Sequence, residues 1–254
     1  MARLFDDASN EYLNITSPAV TAVPFTMAAW FYSDDIDNPG VIMSVADIGS
    51  ANNYFWLAAQ GSGVGNPVRV TARGTTARHA DTSTAWLEDT WHHACGVFAA
   101  ADDRRAFLDG GGKGTETTSE IPSGLDNTEI GRVGDSSPTL EFSGRIAEAA
   151  IWNIALSDAE VALLAKGFSP LFFHPESIVA YWPLIRDDDQ DRVGDFNMTA
   201  FNTPSVAEHP PNIIYPAPPF ISYPSGAPPP AGTAHRKVDS VPLGFGKVGG
   251  ILVG

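Results

Sequence analysis

Four groups of side chains in this chain have the types and spacing to do chemistry. The first is the adjacent pair His92-His93. On an extended strand successive side chains point to opposite faces, so the two rings cannot share one metal ion. One ring is expected to pack inward beside Trp91 and Cys95, the other to stay partly exposed. The second is Asp187-Asp188-Asp189-Gln190-Asp191, four carboxylates in five residues, with Gly194 and Asp195 following. Hard oxygen clusters hold Ca²⁺, which makes Asp187, Asp189 and Asp191 candidate ligands; a solvated acidic turn is the other reading. Counted from Asp187 as an EF-hand loop, the twelfth position is Met198 where a Glu would close the site. No other cofactor is called for.

The third group is the acids Glu116, Glu120, Glu141 and Glu148. Glycoside hydrolysis needs two carboxylates facing each other across the scissile bond, about 5–5.5 Å apart in retaining enzymes. Glu116 and Glu120 fall in a Gly/Thr-rich stretch, and Gly144 separates Glu141 from Glu148. These spacings predict a protein that is not an enzyme. The fourth group is aromatic. Tyr54, Trp56 and Trp86 fall near expected loops, where exposed rings stack on the C–H faces of sugars; core packing is the alternative role. Gly61-Ser62-Gly63-Val64-Gly65 lacks the Lys and the following helix of a phosphate loop. The single Cys95 reads as a small buried apolar group.

Positioning these side chains falls to short strands. Phe25–Tyr32, Val41–Val45, Tyr54–Ala58, Val68–Ala72 and Trp91–Phe98 are apolar runs separated by Gly, Asn and Asp turns. Arg105–Leu108 runs into Asp109-Gly110, a hairpin signal. This pattern predicts an all-β, two-sheet antiparallel sandwich. One short helix is signposted by Ser157 and Glu160 as a capping box, Leu156 and Val161 as a hydrophobic staple, and Gly167 as the stop.

Composition sets further limits. The 254 residues carry 15 basic and 30 acidic side chains, a net charge of −15. The charge is uneven, at −17 over residues 1–232 and +2 over 233–254. So acidic a chain is not expected to bind a phosphate backbone. No run of about 18 apolar residues is present to cross a membrane as a helix. Met1-Ala2-Arg3-Leu4-Phe5-Asp6-Asp7 lacks the apolar core of a secretion signal. Ten of the 20 prolines fall within residues 204–230, which predicts an extended arm. The expected organisation is a sandwich over residues 1–208 and a Pro/Gly-rich arm over 209–254.

The order of motifs adds a resemblance. Leu4-Phe5-Asp6-Asp7 and Tyr12-Leu13 precede Phe25-Thr26-Met27-Ala28-Ala29-Trp30. Trp91-His92-His93-Ala94-Cys95-Gly96-Val97-Phe98 and Ala106-Phe107-Leu108-Asp109-Gly110 follow, then Ile130-Gly131-Arg132 and Phe142–Ser157. Together they resemble the laminin-G-like branch of the concanavalin A-like lectin/glucanase superfamily over roughly residues 1–208. That resemblance implies a jelly roll with Trp30, Trp91, Trp152 and Trp182 buried, and Ile178–Leu184 as a closing strand after the helix. The alternating acids of the family's glycanases, broadly E-x-D-x-x-E, do not occur here. Ala147 stands at the acidic position before Glu148, and Ile154 at the basic one after Asn153, so the usual carboxylate pair is halved.

In the arm, His209-Pro210-Pro211-Asn212-Ile213-Ile214-Tyr215-Pro216 resembles segments of tailed-bacteriophage structural proteins. The implied role is a virion protein, on capsid or tail, made in the host cytoplasm and displaying a lectin-like sandwich. Its arm would contact neighbouring subunits or the particle through Ile213, Ile214, Tyr215, Phe220, Ile221, Tyr223 and Phe245. A homo-oligomer, a trimer first, and a capsid or tail protein are then the expected partners. Carbohydrate recognition as the main task is the alternative.

Overall fold

Short apolar runs force each strand to bury at least one face, and two sheets closing on each other satisfy that demand. The structure, a computed structural model, describes residues 1–217; the expected contact residues Phe220, Ile221, Tyr223 and Phe245 lie outside them. The strands are β1 (Ala2–Phe5), β2 (Tyr12–Ile15), β3 (Phe25–Ser33), β4 (Gly40–Ala46), β5 (Tyr54–Ala59), β6 (Pro67–Arg73), β7 (Ala77–Ala85) and β8 (His92–Ala100). They continue with β9 (Asp103–Leu108), β10 (Gly111–Glu116), β11 (Asn127–Ile130), β12 (Gly144–Trp152), β13 (Ile178–Trp182), β14 (Thr199–Phe201) and β15 (Ser205–Ala207). An eight-stranded sheet runs β10-β9-β8-β3-β12-β1-β15, with β13 also paired to β12. A seven-stranded sheet runs β14-β2-β11-β4-β5-β6-β7, and every pairing is antiparallel. This is the expected sandwich.

Between the sheets, Phe25, Met27, Ala29 and Phe31 of β3 face Phe55 and Leu57 of β5 in the main core. Phe25 stacks on Phe98 at 4.3 Å and meets Phe55 edge-on at 4.8 Å, so one aromatic cluster ties β3 and β8 to β5. The even positions of β3 therefore point away from the core, onto the outer face of the eight-stranded sheet. There Ala28, Cys95, Phe107, Trp152 and Tyr181 pack under the helix α1 (Asp158–Leu164).

The local signals work where chemistry enforces them. The Ser157 hydroxyl accepts from the Glu160 amide and the Glu160 carboxylate accepts from the Ser157 amide, while Leu156 and Val161 are buried together. Gly167 (φ 90°) follows the helix with its amide on Leu164 O at 2.9 Å. Asp109 and Gly110 both take positive φ between β9 and β10, as a two-residue hairpin turn of the primed type requires. As expected, β13 closes the eight-stranded sheet after the helix. The strand β7 (ARHADTSTA), mostly exposed at the sheet edge, had no apolar signal to announce it.

Candidate functional site

The four groups singled out in the sequence end in different surroundings. His92 and His93 do face opposite ways, but both are buried. His92 Nδ1 lies 2.7 Å from Asp109 Oδ2 and its Nε2 accepts the Leu87 amide at 3.0 Å, so the ring carries its proton on Nδ1. His93 takes the outer face, meets Trp30 edge-on at 5.4 Å, and its Nδ1 finds no partner among the described residues. Burial pushes its pKa down to about 4, against the pull of Asp109. The expected partly exposed histidine is therefore covered, because Trp30 and the segment around Ile213 close over it.

The acidic run is divided among protein partners. Asp189 Oδ2 binds Arg3 at 2.9 Å across a buried ion pair. Burial raises its pKa to about 6, although the Arg3 charge pulls the other way. Asp191 accepts the amides of Tyr181, Val193, Gly194 and Phe196 at 2.9–3.2 Å. Asp188 pairs with Arg192, and Asp187 is exposed. The structure thus does not bring Asp187, Asp189 and Asp191 together, and among the described residues no group of three His, Cys, Asp or Glu side chains is placed to hold a metal ion.

Tyr54 and Trp56 sit on β5, and Trp86 falls in the connection from β7 to β8, but all three rings are buried. Trp86 is fully buried in the main core with its Nε1 donating to Gln60 O at 3.0 Å. Tyr54 and Trp56 share the outer face of the seven-stranded sheet, where the loop after β11 lays Val133 and Leu140 against them. Arg73 covers the Tyr54 ring at 5.6 Å and donates to its hydroxyl at 3.1 Å. Stacking on a sugar needs an open ring face, and these three rings offer none.

Partly exposed rings occur on the opposite sheet. Trp30 and Tyr32, two apart on β3, and Trp91, just before β8, are only half-buried, where burial of both Trp was expected. Tyr32 meets Trp91 edge-on at 5.8 Å, and the Arg145 guanidinium lies 4.2 Å from its ring centroid. The register places Arg145 beside Tyr32 and Ala147 beside Trp30. Loss of solvation and a hydrogen bond to Asp89 raise the Tyr32 pKa. The result is three neighbouring aromatic rings with a guanidinium and carboxylates at their margin. Sequence reasoning missed it because β3 is apolar on both faces; the period of two pairs Trp30 with Tyr32 but does not say which face is outside.

Beside this aromatic face lies a polar node. Glu148 sits on a bulge (φ 53°) where β12 exchanges its partner β1 for β13. Its buried carboxylate accepts the Tyr181 hydroxyl at 2.5 Å and the Tyr215 hydroxyl at 2.7 Å, and His209 Nε2 lies 3.1 Å away. Burial and the Glu148 charge raise the pKa of both tyrosines. Ile213, Ile214 and Tyr215 thus run over the chain's own sandwich. Ser169 donates to Ile214 O at 2.9 Å and Ile214 to Gly167 O at 2.8 Å.

Comparisons with known proteins bear on the fold. Residues 7–162 match the family model of the concanavalin A-like lectin/glucanases superfamily. A native heptameric SAP-like pentraxin from Limulus polyphemus superposes with a TM-score of 0.54 at 14% identity, covering 79% of this chain and 91% of that one. A candidate carbohydrate-binding protein from Bacteroides ovatus gives 0.54 at 18% identity, over 78% of this chain and 57% of that one. The CBM40 of the Ruminococcus gnavus IT-sialidase gives 0.50 at 16%, over 58% of this chain and 84% of that one. At these identities the likeness is one of fold. No curated protein matches the chain.

Proposed function

We propose that this chain, which belongs to the concanavalin A-like lectin/glucanases superfamily, binds glycans on the outer face of its eight-stranded sheet without cleaving them. The observation that carries the reading is the half-open trio Trp30, Tyr32 and Trp91, flanked by Arg145 and Asp89. Rings of this kind stack on sugar C–H faces, while a guanidinium and a carboxylate bind paired hydroxyls. A lectin-like fold, shared with solved structures described as carbohydrate-binding, supports it. The non-catalytic part rests on the acids. Glu148 is enclosed by two tyrosines, and Glu120 accepts the Gly74 and Thr75 amides, so neither is paired with a second carboxylate across an open cleft.

Titration of the full chain against a glycan array, followed by calorimetry on the hits, tests this. Trp91→Ala and Tyr32→Ala are expected to weaken binding at least tenfold with unchanged far-UV dichroism, while Trp56→Phe leaves affinity intact. Silence across the array, or equal affinity in all variants, overturns the reading.

A second setting is favoured by the ten prolines within residues 204–230: display on a virion, with a capsid or tail protein as partner. Negative-stain images of particles with and without the protein would differ in surface projections if this holds. Identical particles would reject it.

A further inference from the structure

The glycine-rich stretch Gly61-Ser62-Gly63-Val64-Gly65 lines one side of an open cleft of about 140 Å³ through Gly61, Gly63 and Val64. Asp37 and Pro39 of the connection from β3 to β4 line the other, and Gln60, just after β5, completes it. Gly61 lets the two connections touch, since a Cβ there would meet Asp37 O at 2.3 Å. Ser62 fixes their spacing: its amide donates to Ile36 O at 2.8 Å and its hydroxyl to Asp37 Oδ1 at 2.8 Å. Gln60 is only 6% exposed. Its amide donates to Pro67 O at 2.9 Å and its carbonyl accepts Trp86 Nε1 at 3.0 Å, which spends its main chain. Its side-chain Nε2 has no partner among the described residues. A buried amide left so is costly, and a ligand oxygen in the cleft would supply the missing acceptor.

The rim sets the charge of that ligand. Asp34, Asp35 and Asp37 lie in the connection from β3 to β4, and Glu88 and Asp89 in the one from β7 to β8. The two connections pack together, with the Ile36 amide donating to Glu88 Oε1 at 3.3 Å and the Asp89 amide to Ser33 O at 3.0 Å. Neither connection contains Lys or Arg. None of the five carboxylates is in an ion pair among the described residues. The Asn38 side chain holds the Asp35 carboxyl below its ordinary range, so its charge persists. Pro39 and the 56% exposed Val64 add C–H surface at the sides. We propose that the cleft binds a single hexosamine with a free amine, its ammonium on Asp37, a hydroxyl oxygen on Gln60 Nε2 and its ring against Pro39 and Val64. Its lining is separate from Trp30, Tyr32 and Trp91, so the site stands without glycan binding on that face.

Amide-resolved NMR titration of the full chain with glucosamine, glucose and glucuronic acid at pH 6 tests this. Glucosamine is expected to shift the amides of residues 35–38 and 60–64 in a saturable way. Glucose should bind about threefold more weakly and glucuronic acid not at all. Asp37→Asn should weaken glucosamine about fivefold. Gly63→Leu fills the cleft without strain, since a Cβ there meets nothing within 4 Å, and should abolish the shifts. Trp91→Ala should leave them in place, as should Asp102→Asn, in the exposed turn at the other end of β8. Absence of shifts at these amides, equal affinity for glucuronic acid, or full binding by Gly63→Leu overturns the hexosamine site, whatever the glycan array shows for the aromatic face.

Discussion

The stretch that matches the family model, residues 7–162, and the stretch that follows it, 163–216, hold their shape by different means. In the first, nearly every strand pairs on both sides and the core is built from alternating apolar residues. The second is a belt. It gives β13 to β12, β14 to the edge at β2, β15 to the edge at β1, and then residues 213–215 over the sandwich. Its irregular turns are fixed by side chains that bind backbone: Asp191 on four amides, and Trp182 Nε1 on Phe196 O at 2.6 Å. The difference teaches that length outside the family match is not length outside the fold. Ala180, Trp182, Leu184 and Met198 of the belt belong to the same core as Phe25 and Phe55.

The largest effect that could break this equivalence is a cavity. Trp182 is fully buried, so Trp182→Ala is expected to lose about 3–5 kcal/mol, as is Phe25→Ala in the matched stretch. Urea unfolding would measure both. A loss below about 1 kcal/mol at Trp182 would show the belt to be detachable.

The two stretches also answer pH in opposite directions. His93, in the matched stretch, has a folded pKa of about 4, below its ordinary 6.5, so its neutral form favours the fold. That stability is present above pH 6.5 and is lost as pH falls towards 4, about 3 kcal/mol in all. Asp189, in the belt, has a folded pKa of about 6 against an ordinary 3.8. Its protonated form favours the fold, so stability present below pH 3.8 is lost as pH rises through 6, about 1–2 kcal/mol after solvent screening. Between pH 4 and 6.5 the two slopes oppose each other. Relative to the parent, His93→Leu should gain stability towards acid and Asp189→Asn should lose it. Parallel slopes in the two variants would remove the distinction.

What could be read in the sequence divides along the same line. Strands such as Phe25–Ser33 and the Asp109-Gly110 turn announce themselves because burial and φ constraints act on neighbouring residues. The cap at Ser157 is equally local. The belt was legible at Ile178–Leu184, read as the closing strand, but its turns were opaque, since Asp191 reads as one more acid in a charged run until the amides it binds are placed. The aromatic face was hidden for another reason. Alternation groups Trp30 with Tyr32 and Phe25 with Phe31, but both groups are apolar, and only the packing of Phe55 and Phe98 on Phe25 decides which one is the core. Glu148 was visible as half of a carboxylate pair; its tyrosine partners, 33 and 67 residues away, were not.

The smallest expected effect lies at α1, the joint between the two stretches. Ser157→Ala removes the side-chain half of the capping box and should cost about 1 kcal/mol. Glu160 does more than cap, because its Oε1 also holds His174 Nε2 of the belt at 2.6 Å. That hydrogen bond, with the Glu160 charge behind it, raises the pKa of His174. A raised folded pKa means stability fully present below about pH 6.5 and lost as pH rises through the folded value. Ser157→Ala, which leaves the Glu160–His174 contact in place, should therefore cost nearly the same at pH 5.5 and pH 8.5. Glu160→Gln should cost more at pH 5.5, where His174 carries its charge. Equal losses at the two pH values for Glu160→Gln would mean that the helix is capped from the matched stretch alone, with the belt contributing packing but no charge to the joint.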